Sequence, residues 1–92
     1  MKTKALLVRI EGGVQGVGFR AWTLREAQSL GLAGWVCNEA DGAVMAHIEG
    51  SEERVDRMLE RLQFGPPGAS VTKLSSEPAA PEAMESGFRI SR

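Results

Sequence analysis

The sequence holds a single cysteine, Cys37, and a single histidine, His47. One cysteine cannot close an internal disulfide, so nothing in the chain asks for an oxidising compartment. One Cys and one His fall short of a Cys/His zinc site, and any Ser-His-Asp arrangement would have to run through His47. A basic excess is missing too: 11 Lys and Arg stand against 12 Asp and Glu, a net charge of −1. A general nucleic-acid binder needs a basic stripe to displace counterions. No stretch approaches the roughly 20 apolar residues of a membrane helix. The apolar run at residues 5–8 is cut by Arg9 and is too short for a signal-peptide core. These absences predict a cytoplasmic protein with neither nucleic-acid nor membrane partners.

What remains is ordinary globular composition, 42% hydrophobic and 25% charged over 92 residues. That length makes one domain, residues 1–92. A chain so short hides only about 60–65% of its unfolded surface, so its core must be compact.

Residues 5–11 alternate. Leu6, Val8 and Ile10 point one way; Ala5, Leu7, Arg9 and Glu11 point the other, which predicts a central strand. A glycine-rich loop follows. From about residue 20 to 30 the period turns helical, with Phe19, Thr23, Leu24, Ala27 and Leu30 on one face and Gly31 placed as a C-cap. Trp22 lies off this stripe, either covering the helix flank or walling a pocket beside the loop. Residues 32–38 read as a second strand. Asp41-Gly42 between two apolar runs signals a hairpin, so the third strand is antiparallel to the second.

Ser51 suits an N-cap, with Glu52 and Glu53 in the first turn. Val55, Met58, Leu59 and Leu62 then mark a clear amphipathic helix that stops before Gly65. Residues 69–74 read as a fourth strand, residues 75–87 as a surface loop, and "FRIS" as a short closing strand. The order βαββαβ plus a terminal strand predicts an α+β, ferredoxin-like α/β sandwich. Two helices cover one face of a mostly antiparallel sheet. His47 shares a strand face with Met45, away from the helices, and is expected to be solvated or lightly packed. Cys37 is expected to be a packed, non-catalytic thiol, because no convincing partner to activate it lies nearby.

The stretch "GGVQGVGFR", residues 12–20, admits three functional readings. As a P-loop it lacks the required Lys-Ser/Thr; Phe19-Arg20 stands there instead. As a dinucleotide fingerprint it matches Gly16, Gly18 and Ala21, with Glu39 about 20 residues on. Yet 92 residues cannot hold a doubly wound parallel sheet, and the hairpin is antiparallel. The third reading is an anion cradle: loop N–H groups and a helix N-terminus face one point, and Arg20 adds a forked cation. The alternative is a turn that merely joins strand to helix, with Arg20 in a surface ion pair.

"GGVQGVGFR", "AQSLGLAGWVCNEADGAV", "GPPGASV" and the terminal "FRI" together resemble the acylphosphatase family, in order and over nearly the whole chain. The resemblance implies hydrolysis of acyl phosphates to a carboxylate and inorganic phosphate, with no cofactor, no metal and no covalent phosphoenzyme. It implies that the amides of Gln15, Gly16, Val17, Gly18 and Phe19, with Arg20, hold the phosphate, and that Asn38 orients the attacking water. Inorganic phosphate or sulfate would then compete with substrate. Gly13, Met45 and Arg61 depart from residues usual in the family.

That chemistry suits these residues. A carboxylate is a good leaving group and needs no strong general acid. Charge spread over the phosphoryl oxygens is met by preorganised N–H groups and a guanidinium. A carboxamide holds water by one donor and one acceptor while being a poor base; the substrate's own phosphate is expected to take the proton. On spacing alone, Asn38 reads first as an Asx residue opening the hairpin. Two other functions on this fold are weighed. One is a non-catalytic acyl-phosphate- or phosphate-binding module, as at the front of larger carbamoyl-transfer proteins of hydrogenase maturation; a chain ending with the module reads as free-standing. The other is an RNA-recognition module, which needs stacking aromatics on the first and third strands, where this chain has none.

Overall fold

A computed structural model describes residues 2–82 and 87–91. The elements run β1 (Thr3–Gly13), α1 (Phe19–Ser29), β2 (Ala33–Asn38), β3 (Val44–Ser51), α2 (Glu52–Phe64), β4 (Ser70–Pro78) and β5 (Phe88–Ile90). The sheet order is β4-β1-β3-β2-β5. The pairs β1–β3, β1–β4 and β2–β3 are antiparallel, and β5 lies parallel to β2. This is the ferredoxin-like arrangement expected from the pattern of elements.

Register explains the core. Val8 and Val36 both stand opposite Ala46, and Ile10 stands opposite Val44. These side chains share the face that meets Phe19 and Ala27 of α1 and Val55, Met58 and Leu62 of α2. The period of two in the strands and of 3.6 in the helices thus converge on one buried layer.

Both helices are closed by local chemistry. At the end of α1, Gly31 N–H donates to Gln28 C=O at 3.0 Å and Leu32 N–H to Ala27 C=O at 2.9 Å, with Gly31 in the left-handed region. This is a Schellman cap. At the start of α2 the Ser51 hydroxyl accepts from Arg54 N–H at 3.4 Å, with Glu52 and Glu53 in the first turn. Arg61, one of the three departures, reaches from α2 to Glu26 of α1 at 2.9 Å and ties the two helices side by side.

Two expectations need correction. The fourth strand does not stop at Leu74. It continues to Pro78, pairing Ser75 with Arg9, Ser76 with Val8 and Glu77 with Leu7. Main-chain pairing to β1 holds an edge strand whose outer residues are polar and exposed, and an edge tolerates proline. His47, expected to be solvated, is 2% exposed. The face was read correctly; what alternation could not show is that the segment after β4 folds back over it. Ala79 N–H donates to Ala5 C=O at 3.0 Å, and Glu82 N–H donates to Glu49 at 2.7 Å.

Candidate active site

β1 and β2 are both antiparallel to β3, so they point the same way, and β5 points with them. Their C-terminal ends lie at one edge of the sheet. Ile10 and Asn38 are both opposite Val44, so the loop leaving β1 passes beside the end of β2. The same loop enters α1, whose N-terminus brings uncompensated backbone N–H groups and a positive dipole end.

That N-terminus has no side-chain cap. Gly18 is the N-cap, with φ 77° and ψ 20°, and the first turn contains no acidic residue. The first helical bond there is Trp22 N–H to Gly18 C=O at 3.0 Å. Gly16 and Gly18 both take left-handed φ, 76° and 77°, and a Cβ at either would meet no atom within 4 Å. These two glycines are therefore needed for backbone conformation, not for close packing, and the space beside them is open.

The open space is a cavity of about 240 Å³ lined by Val14, Gln15, Gly16, Gly18, Phe19, Arg20, Ala21, Asn38 and Ile90. Six of the seven site residues read from the sequence meet here. Val17 is not among the lining residues; its side chain packs against the core. Val14, Ala21 and Ile90 were missed. Ile90 comes from the far end of the chain, set opposite Val36 by the parallel β2–β5 pairing, and no local signal places it here. Trp22 takes the less eventful of its two readings. It meets Phe19 edge-on, ring centres 5.5 Å apart, and covers the helix flank.

The hairpin that carries Asn38 is held on two sides. Gln15 Nε2 donates to Glu39 C=O and Ala43 C=O, each at 2.9 Å. Arg9 of β1 donates to the carboxylate of Asp41 in the turn, and Ala43 N–H donates to the same carboxylate at 3.1 Å. These two contacts, the Arg9 bond first, hold the Asp41 carboxyl below its ordinary value.

Cys37 is buried, as expected, on the sheet face away from the helices. Its Sγ lies 3.7 Å from Glu39 Oε2. Among the described residues, no three His, Cys, Asp or Glu side chains group so as to hold a metal ion. No helix of the described residues is long and apolar enough to cross a membrane.

Residues 6–90 match the family model described as Acylphosphatase. The acylphosphatase of Sinorhizobium medicae is 55% identical over 89 residues, covering 97% of this chain and 95% of that protein. The crystal structure of acylphosphatase from Bacillus subtilis superposes with a TM-score of 0.92 at 34% identity, covering 99% of this chain and all of that one. The crystal structure of full-length HypF in its phosphate- and nucleotide-bound form superposes with a TM-score of 0.90 at 25% identity. There the match covers 99% of this chain but 12% of that one.

Proposed function

The chain belongs to the acylphosphatase family and hydrolyses acyl phosphates to a carboxylate and inorganic phosphate, and we propose that it does so in the cavity between the glycine loop and Asn38. The backbone N–H groups of Gln15, Gly16, Val17, Gly18 and Phe19 donate to the phosphate oxygens, and Arg20 forks onto two of them. Donors fixed by the loop and by the first turn of α1 meet charge developing in the transition state with little reorganisation.

Asn38 holds a water by one donor and one acceptor, in line with the departing carboxylate. The water oxygen bonds to phosphorus as the bond from phosphorus to the acyl oxygen breaks, and the carboxylate leaves with the electron pair. A proton of the water passes to a phosphate oxygen. The loop and the guanidinium supply the positive charge that phosphoryl transfer needs, and the reading calls for no metal ion. Inorganic phosphate and sulfate occupy the same cradle as competitors. The reaction takes place in the cytoplasm.

One observation carries this reading: a single cavity is lined at once by Gly16, Gly18, Arg20 and Asn38, which come from the β1–α1 loop, the first turn of α1 and the end of β2. The test is hydrolysis of benzoyl, acetyl and carbamoyl phosphate, with and without EDTA, beside a simple phosphate ester. Turnover of the acyl phosphates is expected to be unchanged by EDTA and accompanied by little hydrolysis of the ester. Asn38→Ala is expected to lower kcat sharply while the Ki of inorganic phosphate stays put. A collapse of phosphate affinity in that variant would refute the division of labour.

A further inference from the structure

Gln15 contributes more than a backbone amide. Its side-chain Nε2 has two hydrogens, and both are used: one bond runs to Glu39 C=O and one to Ala43 C=O, each 2.9 Å. Those carbonyls sit on the two arms of the β2–β3 turn. Glu39 follows Asn38 directly, and Ala43 precedes Val44, the residue opposite Asn38 in the ladder. The turn closes itself with Glu39 N–H to Ala43 C=O at 2.8 Å and Gly42 N–H to Glu39 C=O at 3.1 Å. Each carbonyl has two lone pairs. One is taken by the turn and the other by Gln15, so the arrangement is saturated.

We propose that the Gln15 carboxamide is a positioning residue, a clasp that sets the distance between the phosphate cradle and the water-orienting Asn38. The inference rests on the role given above to Asn38 and adds how that residue is kept in register with the loop. In-line attack depends on the relative placement of two groups on separate strand ends. A misplacement of about 1 Å is enough to cost two orders of magnitude in rate. The loop's own N–H groups do not pass through the clasp, so phosphate binding survives its loss while alignment does not.

The experiment is a double-mutant cycle on kcat, with the Ki of inorganic phosphate measured for every variant. Gln15→Met keeps length and shape and removes both donors. It is expected to lower kcat about 10- to 100-fold with the Ki changed by less than about twofold, and to lower kcat hardly further when Asn38→Ala is already present. Gln15→Glu repeats the test should the methionine variant fold poorly. As a carboxylate it cannot donate, and when protonated it regains one donor. Its kcat relative to wild type is therefore expected to recover as pH falls, which a merely structural side chain would not produce. An equal loss of kcat in both backgrounds, or a raised Ki at unchanged kcat, overturns the inference. Normal turnover in Asn38→Ala alone overturns the role of Asn38 and the clasp with it; the two failures are told apart by which single variant stays active.

Discussion

His47 Nε2 stands 2.7 Å from Glu49 Oε1, on the sheet face that carries no helix, and each residue is only 2% exposed. The Glu49 oxygen also accepts Glu82 N–H at 2.7 Å. Trp35 stacks on the imidazole with ring centres 6.0 Å apart and donates its Nε1–H to Glu82 at 3.1 Å. The network fastens the segment after β4 across the sheet. Removing His47 takes one of these two partners from the buried Glu49 side chain and leaves it under-satisfied. His47→Leu is expected to destabilise the fold by about 2–4 kcal/mol, read by urea unfolding. The proposed active site lies at the strand ends, so kcat per folded molecule is expected to be unchanged. A loss of kcat with stability intact would mean that this face communicates with the site.

The hydroxyl of Thr23 presents the opposite case. It lies in the core face of α1, fully buried, and Oγ1 has no hydrogen-bond partner among the described residues. A buried polar atom without a partner costs free energy that an isosteric methyl does not. Thr23→Val is expected to stabilise the protein by about 1 kcal/mol, which for a domain of this size is a rise in Tm of about 4–8 °C. A fall in Tm would reveal a partner for the hydroxyl.

How much of this was legible in the sequence depends on how local the cause is. The alternation of Leu6, Val8 and Ile10 and the spacing of Val55, Met58 and Leu62 are local, and both faces came out as read. The hairpin at Asp41-Gly42 and the caps at Ser51 and Gly31 depend on a few neighbouring atoms, and they too are where the sequence puts them. The burial of His47 depends on a segment more than thirty residues away, which alternation within β3 cannot register. Ser75 to Pro78 lack any apolar rhythm because an exposed edge strand needs none; its pairing partner supplies the order. The Gln15 clasp spans 24 and 28 residues, and Ile90 arrives from the last strand. The residues proposed to carry the chemistry were read through a resemblance, whereas the contacts that surround them required the fold.

Arg20 stands in the first turn of α1 and lines the cavity. In the proposed mechanism it meets charge on the phosphoryl oxygens. Arg20→Ala is expected to lower kcat by about 10²–10³-fold or more and to weaken inhibition by inorganic phosphate in parallel. Arg20→Lys keeps a charge but loses the planar fork, so it should recover only part of the loss. Near-normal kcat and KM in either variant would remove Arg20 from the site.

The Arg9–Asp41 pair on the hairpin gives a pH dependence with a definite sign. Asp41 is held below its ordinary 3.8, first by the hydrogen bond from Arg9 and then by Ala43 N–H. The folded protein therefore binds this proton less readily than the unfolded chain. The stabilisation is complete above the unfolded value and is lost as pH falls through the lowered folded value. Asp41→Asn cannot titrate. The difference in urea midpoint between wild type and Asp41→Asn should stay constant from neutral pH to about pH 5 and close in stronger acid. The pair is exposed, so the difference should also shrink in high salt. A gap that widens on acidification would contradict the assignment.

Ile90 is 40% exposed, yet it lines the same cavity as Arg20 and Asn38. A large apolar side chain left partly in water beside the proposed phosphate site gains if the substrate covers it. In the proposed mechanism the phosphate end of the substrate goes to the loop, which leaves the acyl end for Ile90. Covering part of one isoleucine is worth about 1 kcal/mol, or about fivefold in affinity. Ile90→Ser is thus expected to raise KM for benzoyl phosphate about fivefold while changing KM for acetyl phosphate much less. The Ki of inorganic phosphate should not move, because phosphate has no acyl group to lay against the side chain. Equal changes for all three would mean that Ile90 supports the loop and does not touch the acyl group.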